Sequence, residues 1–369
     1  MTGNPKKDKR KSKSALKIVK STTKSVSTTD TSKKRKDSTE KKDNKNLSIK
    51  KLLKGVLADD RGILARVITI IESGAKKDQK RAQEILKELT PHSGRSIRIG
   101  ITGMPGAGKS TFIDALGVKL TARNHKVAVL AVDPSSSLTK GSILGDKTRM
   151  ENLSRDANAF IRPSPSGGTL GGVSRKTRES IIVFEAAGYD VILVETIGVG
   201  QNEIAVRSMV DFFLLILIAG AGDELQGIKR GIMEIADAIV INKADGDNIK
   251  RAENAREEFE RALHYFQPVT EGWQPKAITV SALHDKGIDP IWDIIKSFEK
   301  LTEENGTFRK RRRNQLKNWL HDLISNQLQN LLLTDTNVRK TLPELEKLVI
   351  EGKLPAAKAA EDIIKRFLK

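Results

Sequence analysis

A chain of 369 residues with no cysteine and a net charge of +20 is long enough for one large domain with appendages or for two domains. The lack of cysteine excludes disulfides and thiolate metal sites. The longest apolar run, Phe212 to Ala219 between Asp211 and Asp223, is far short of the roughly 20 residues of a membrane-spanning helix, so no association with a membrane is expected.

The charge is uneven. Residues 1–46 carry 16 Lys plus Arg against 5 Asp plus Glu, with almost no aliphatic content, and such a segment cannot bury enough apolar surface to offset its ordering entropy. It is expected to be a disordered basic tail. A solvated tail, a polyanion-binding arm and an organellar transit peptide compete as its use, the last opposed by Lys rather than Arg and by acidic residues through its second half. Because the excess sits in the tail, the folded body does not call for nucleic acid as a partner.

Residues 47–95 have apolar residues at helical spacing, from Leu52, Leu53, Val56 and Leu57 to Leu86 and Leu89, before Pro91 stops the pattern. An N-terminal helical extension that packs on the main domain is predicted. Between residues 96 and 301 apolar runs alternate with helical stretches, and strands are predicted at Ile97–Thr102, Val127–Val132, Ala159–Arg162, Val191–Glu195, Phe212–Ile218, Ala238–Asn242 and Ala277–Ser281. That alternation implies an α/β fold, a mostly parallel sheet with helices on both faces, whose ligands bind beyond the carboxyl ends of the strands. Residues 302–369 read as helical again: a basic patch Arg309–Arg313, a stripe of Trp319, Leu320, Leu323, Ile324, Leu328 and Leu331, then helices at Leu342–Ile350 and Ala356–Leu368. A stripe of this kind is more often core than interface, although a terminal arm also suits dimerisation.

The first strand runs into Gly103-Met104-Pro105-Gly106-Ala107-Gly108-Lys109-Ser110-Thr111, which satisfies G-x-x-x-x-G-K-[ST] between a strand and a helix. Glycines let several backbone N–H groups converge on a polyphosphate, and the helix N-terminus adds its dipole. Lys109 can reach the β and γ phosphates, and the Ser110 hydroxyl is placed to ligate Mg²⁺. The chain is therefore predicted to act on a nucleoside triphosphate.

Polar residues at other strand ends extend the site. Asn242-Lys243-Ala244-Asp245 is an N-K-x-D pattern: the Asp245 carboxylate can accept from guanine N1–H and its exocyclic amine, which adenine cannot offer, while the Lys243 stem lies along the base and Asn242 ties this loop to the phosphate loop. A backbone N–H of Ser281-Ala282-Leu283 can meet guanine O6. Asp133 and Glu195 follow apolar strands where carboxylates commonly orient Mg²⁺, and Gly198 in Thr196-Ile197-Gly198 can sense the γ-phosphate through its N–H. Lys109, Asp133, Glu195 and Gly198 are thus the catalytic candidates. Two glycine-rich stretches, Ser164–Gly172 and Ala219–Gly227, are expected to be mobile loops, with plain connectors as the alternative. The five histidines show no ligand spacing, which disfavours a metal-delivery role.

Together with Val132–Ser136, Gly145–Met150, Glu195–Gln201 and Ala219–Lys229, these motifs resemble the MeaB/MMAA/ArgK family of G3E GTPases from about residue 50 to the end. The resemblance implies a P-loop GTPase of SIMIBI type that binds GTP and GDP with Mg²⁺. It further implies a homodimer formed through the C-terminal arm, and a chaperone that gates adenosylcobalamin loading and protects a B12-dependent acyl-CoA mutase of the methylmalonyl-CoA mutase type. Carried over by motif, Asp133, Asp146 and Glu195 would lie with Ser110 around the metal, and Gln201, Gln226 and Lys229 would relay nucleotide state to the partner. The implied location is that of the mutase, the cytoplasm, or the mitochondrial matrix in a eukaryote.

One departure stands out. Glu195-Thr196-Ile197-Gly198-Val199 places no Gln directly after the glycine, and Gln201 follows only three residues on, so the group that orients the attacking water is open and slow intrinsic hydrolysis is expected. Two other functions compete: an ATP-dependent kinase linked to amino-acid transport, opposed by the guanine-selecting pattern and the lack of an H-R-D catalytic loop, and a nucleic-acid-associated GTPase using the tail.

Overall fold

The computed structural model describes residues 47–132, 149–163, 170–196, 202–220 and 230–368. Three helices come first: α1 (Ile49–Leu57), capped by Ser48, α2 (Arg61–Glu72), capped by Asp60, and α3 (Lys76–Leu89). The Asp60 carboxylate accepts from the Gly62 and Ile63 N–H groups at 2.9 and 3.0 Å, which starts α2 only three residues after α1 ends. Leu52, Val56, Leu64, Val67, Ile68, Ile85 and Leu89 are fully buried, and the helices pack on one another and on α6, defined below.

The sheet follows as β1 (Ile97–Gly103), α4 (Lys109–Ala122), β2 (Val127–Val132), α5 (Glu151–Arg155), β3 (Ala159–Arg162), α6 (Leu170–Ala186), β4 (Val191–Thr196), α7 (Asn202–Arg207), β5 (Phe212–Ile218), α8 (Arg230–Glu234), β6 (Ala238–Asn242), α9 (Ile249–Leu263) and β7 (Lys276–Thr279). Strand order is β3-β2-β4-β1-β5-β6-β7, and every neighbouring pair is parallel. Runs such as Val-Ile-Leu-Val-Glu-Thr of β4 are buried along their whole length, because helices cover both faces. On one face Ile99, Ile101, Val129, Leu193, Leu214 and Val240 meet Phe112 and Leu116 of α4 together with Phe298. On the other, Leu215, Leu217, Ile239 and Ile241 meet Ala252, Phe259 and Leu263 of α9.

The predicted strands match the observed ones closely, with one real difference. The last strand starts at Lys276 and ends at Thr279, since Ser281 leaves the parallel ladder to pair with Lys286 in an isolated antiparallel bridge. α6 already begins at Leu170, inside the glycine-rich stretch predicted as a loop to Gly172; residues 164–169 of that stretch, and 221–227 of the second, lie outside the described residues.

Four helices complete the chain: α10 (Ile288–Glu304), α11 (Thr307–Thr334), α12 (Thr336–Ile350) and α13 (Ala356–Phe367). The sequence pattern places the start of α12 at Leu342, but Asp335 caps it six residues earlier, accepting from Asn337 and Val338 N–H at 2.9 and 3.0 Å. The α11 stripe corrects the expectation of an internal core. Leu320, Leu328 and Leu331 are 56–58% exposed, because α11 departs from the sheet after its first turns and no other described residue of the chain covers that face.

The basic patch, by contrast, is partly buried. Arg312 pairs with Asp211 through both carboxylate oxygens at 2.8 and 2.6 Å and donates to the Gly94 and Ser96 carbonyls at 2.7 and 2.5 Å. Arg311 donates to the Asp211 carbonyl and to Thr270. These contacts fasten the root of α11 to the amino-terminal ends of β1 and β5.

Candidate functional site

The phosphate loop leaves β1 at Gly103 and enters α4 at Lys109, next to the point where strand order reverses from β4 to β5. Gly103 (φ 150°) and Gly108 (φ 85°) have backbone angles that side chains rarely adopt. An added Cβ at Gly103 would lie 2.1 Å from the Ile216 carbonyl oxygen, and one at Gly108 would lie 2.5 Å from Asn242 Nδ2. Of the remaining loop residues, Met104 is half-buried, Pro105, Gly106 and Thr111 are exposed, and Ala107 is fully buried.

Lys109 is buried and donates from Nζ to the Gly103 and Met104 carbonyls at 2.8 and 3.1 Å, so it arches over the loop that a phosphate would fill. Burial lowers its pKa, Glu195 and Glu203 oppose that shift, and Arg149 adds to it. Glu195, the penultimate residue of β4, is 4% exposed and accepts a hydrogen bond from Ser110 Oγ at 3.2 Å. Ser110 and Glu195 therefore converge from two elements on one edge of the loop.

The base-side loop is tied to the phosphate loop through Asn242 at the end of β6. Its Nδ2 donates to the Ala107 carbonyl at 2.8 Å, its Oδ1 accepts from Ala282 N–H at 3.1 Å, and the side chain is 2% exposed. One amide thus spans both loops and the turn after β7. Asp245 accepts from Ser281 Oγ, which aims the carboxylate, while Lys243 is exposed with φ 60°. Leu283 is 75% exposed at the rim. Because Ala282 N–H is engaged by Asn242, it reaches guanine O6 only as a shared donor.

Among the described residues the sequence-derived set comes together in this way: Gly103 to Thr111, Glu195, Asn242, Lys243, Asp245 and Ser281 to Leu283 surround one edge of the sheet. Asp133, Asp146, Gly198, Gln201, Gln226 and Lys229 lie outside the described residues. No group of three or more His, Cys, Asp or Glu that could hold a metal occurs among the described residues. A hydroxyl and one carboxylate are hard oxygen donors that suit Mg²⁺ when nucleotide phosphates and water supply its other ligands, so Ser110 and Glu195 fit that ion.

Two contributors escaped the sequence reading. Glu203, 1% exposed in the first turn of α7, bears electrostatically on Lys109; an acidic residue shortly after Gly198-Val199-Gly200 in the sequence was the available signal. The Thr196 hydroxyl donates to the Thr102 hydroxyl at 2.8 Å, and both are buried. That bond joins β4 to β1 beside the loop, and no local pattern announces it.

Arg178 of α6 points away from the phosphate loop's neighbours named above: it donates from Nη2 to the Ser208 carbonyl and hydroxyl, both at 2.7 Å, and stacks over Trp319 of α11 at 5.6 Å.

Comparison with known proteins agrees with this architecture. The family model for "Methylmalonyl Co-A mutase-associated GTPase MeaB" matches residues 64–337. A "Putative GTPase" of Caulobacter vibrioides is 49% identical over 87% of this chain and 98% of its own. The "Methylmalonic aciduria type A homolog, mitochondrial" of Mus musculus is 44% identical over 86% of this chain and 79% of its own. A solved structure described as "LAO/AO transport system kinase" superposes with a TM-score of 0.71 at 36% identity, covering 87% of this chain and 98% of that one.

Proposed function

The chain belongs to the GTP-hydrolysing family of methylmalonyl-CoA mutase-associated GTPases, and from that premise we propose that it is a Mg²⁺-dependent GTPase chaperone that gates adenosylcobalamin loading of a B12-dependent acyl-CoA mutase and protects it. The observation that carries the nucleotide part of this reading is the Asn242 bridge between the phosphate loop and the Asp245–Ser281 pair. Binding of a guanine base and of a triphosphate is thereby made one event.

Lys109 would exchange its two loop carbonyls for phosphate oxygens, and the loop N–H groups would hold the β-phosphate. Mg²⁺, when bound, would neutralise charge on the β and γ phosphates, held by Ser110 and Glu195 with Asp133 and Asp146. Gly198 would donate its N–H to the γ-phosphate, and Gln201, Gln226 and Lys229 would pass the presence of that phosphate to the mutase. Domain limits of 1–46, 47–95, 96–301 and 302–369 follow this division of labour, with the last segment as the arm of a homodimer. The exposed stripe of Leu320, Leu328 and Leu331 supports that arm as a self-association surface. The protein would act where its mutase acts, in the cytoplasm or the mitochondrial matrix.

The kinase reading suggested by one structural neighbour's description is disfavoured by a base loop built around a carboxylate acceptor. The deciding experiment measures GTP and ATP hydrolysis by the full chain with and without the methylmalonyl-CoA mutase of the same organism. Stimulation confined to GTP is expected; GTP turnover indifferent to the mutase would overturn the chaperone assignment, and a preference for ATP would overturn the base assignment.

A further inference from the structure

The turn after β7 that carries Ser281, Ala282 and Leu283 is pinned on two sides. On the nucleotide side Ser281 Oγ donates to the Asp245 carboxylate and Ala282 N–H donates to Asn242 Oδ1 at 3.1 Å. Ser281 and Lys286 exchange backbone hydrogen bonds of 3.0 Å, which closes residues 281–286 into one loop. Gly287 (φ 77°) ends it, and a Cβ there would lie 2.7 Å from the Thr279 carbonyl oxygen, so the loop is drawn tight against the end of β7. Asp285, inside the loop, holds φ 56°, an uncommon angle for a residue with a side chain.

On the other side Lys119 of α4 holds the loop. Its Nζ lies 2.9 Å from Asp285 Oδ2 and 2.9 Å from Asp289 Oδ2, and Arg123 Nη2 donates to Asp289 Oδ1 at 2.7 Å. Two cations thus stand against two carboxylates. Helix dipoles favour this arrangement, with Lys119 in the last turn of α4 and Asp289 in the first turn of α10. The bonds to Asp289 and Asp285 raise the Lys119 pKa, and the bond from Lys119 lowers that of Asp289, so these groups are charged across the neutral range. Lys119 lies ten residues beyond Lys109, about 15 Å along the helix at 1.5 Å per residue, too far for it to share a phosphate with that lysine.

We propose that Lys119 is a positioning residue for guanine recognition: by holding Asp285 and Asp289 against α4, it sets where the Ser281–Leu283 turn meets the base. This deepens the assignment of guanine to the site and rests on it. The physical content is a fixed spacing. One helix carries Lys109 and Ser110 in its first turn and Lys119 in its last, so it sets the distance between the groups that hold phosphate and the turn that faces the base. Asn242 joins the same two regions from the buried side, at 2% exposure, and Lys119 braces them from the solvent side. The competing account is a surface ion network that adds only to stability. With side chains 23% exposed at Lys119 and 57% at Asp285, that contribution is small.

The test measures GDP and ADP affinity of the full chain by competition with fluorescent GDP, at low and high KCl. Lys119→Met should weaken GDP binding about threefold to fivefold, the range open to partly exposed ion pairs, and leave ADP, held through its phosphates, unchanged. Lys119→Arg keeps the cation and should restore most of the GDP affinity. Asp285→Asn should reproduce the loss, and adding it to Lys119→Met should cost no more than Lys119→Met alone. High salt screens exposed pairs, so it should narrow the preference for GDP over ADP more in the wild-type chain than in Lys119→Met. A GDP-to-ADP ratio unchanged by Lys119→Met would overturn the proposal, whether both affinities fall, as a purely structural role predicts, or neither does. Asp285→Asn carries the same comparison if Lys119→Met does not fold. A wild-type chain that binds ADP as tightly as GDP would instead overturn the base assignment itself, and the proposal with it.

Discussion

Replacing Gly108 by alanine tests whether the Asn242 bridge organises the two nucleotide loops. The substitution imposes φ 85° on a residue with a Cβ and sets that Cβ 2.5 Å from Asn242 Nδ2. Gly106 is the matched control: its φ is 79°, and an added Cβ meets nothing within 4 Å. Backbone strain alone costs about 1–2 kcal/mol for a left-handed residue. Gly108→Ala must also push Asn242 off the Ala107 carbonyl, 2.8 Å away, and off Ala282 N–H, 3.1 Å away, and leaving such buried groups unpaired adds about 1–3 kcal/mol. Urea unfolding without nucleotide should therefore show Gly106→Ala losing about 1–2 kcal/mol and Gly108→Ala roughly twice that. Because the clash needs the Asn242 side chain, Gly108→Ala combined with Asn242→Ala should lose at least about 1 kcal/mol less than the sum of the single losses. Equal losses for the two glycine variants, or strict additivity in the double variant, would refute the bridge as the organising contact.

Asp245→Asn removes the anionic acceptor and should weaken GDP binding by about a hundredfold while leaving ADP binding unchanged, as read by competition with a fluorescent nucleotide. Burial depresses the Lys109 pKa in the free protein, and bound phosphate would raise it. GTP affinity should thus be flat below the free-protein pKa, fall as pH rises through it, and level off above the bound-state pKa; a flat profile across that window would contradict the assignment. Arg312→Met breaks a pair whose side chains are 14% and 1% exposed and should cost about 3–5 kcal/mol in urea unfolding, against less than about 0.5 for Arg313→Met on the exposed side of the same helix. Leu320→Glu should convert a dimer to a monomer in sedimentation equilibrium, with an unchanged monomer fold by circular dichroism; a wild-type chain that is monomeric at micromolar concentration would remove the arm's proposed role.

The sheet was legible because its strands are buried on both faces and so read as unbroken apolar runs, and the nucleotide loops were legible because their chemistry needs fixed residue types at fixed spacing. Arg312 was not: the run Arg309–Arg313 looks like a solvated patch until Asp211, 101 positions earlier, is folded beside it. The end of β7 was misplaced for a related reason, since only the Ser281–Lys286 bridge ends a run that local apolarity would continue. The α11 stripe repeats at helical spacing whether it packs inside one chain or waits for a second, so periodicity alone left its partner open. Asn242 was expected to join the loops; its second bond, to Ala282, depends on where the chain after β7 returns.

The Arg311 and Arg312 anchorage clamps α11 at one end only. With 28 residues the helix is roughly 42 Å long at 1.5 Å per residue, so about 5° of tilt at its root would swing its far end by about 4 Å. The helix is therefore a lever whose fulcrum sits where β1 and β5 begin, and a small shear between those strands is magnified along it into a displacement on the scale of a side chain.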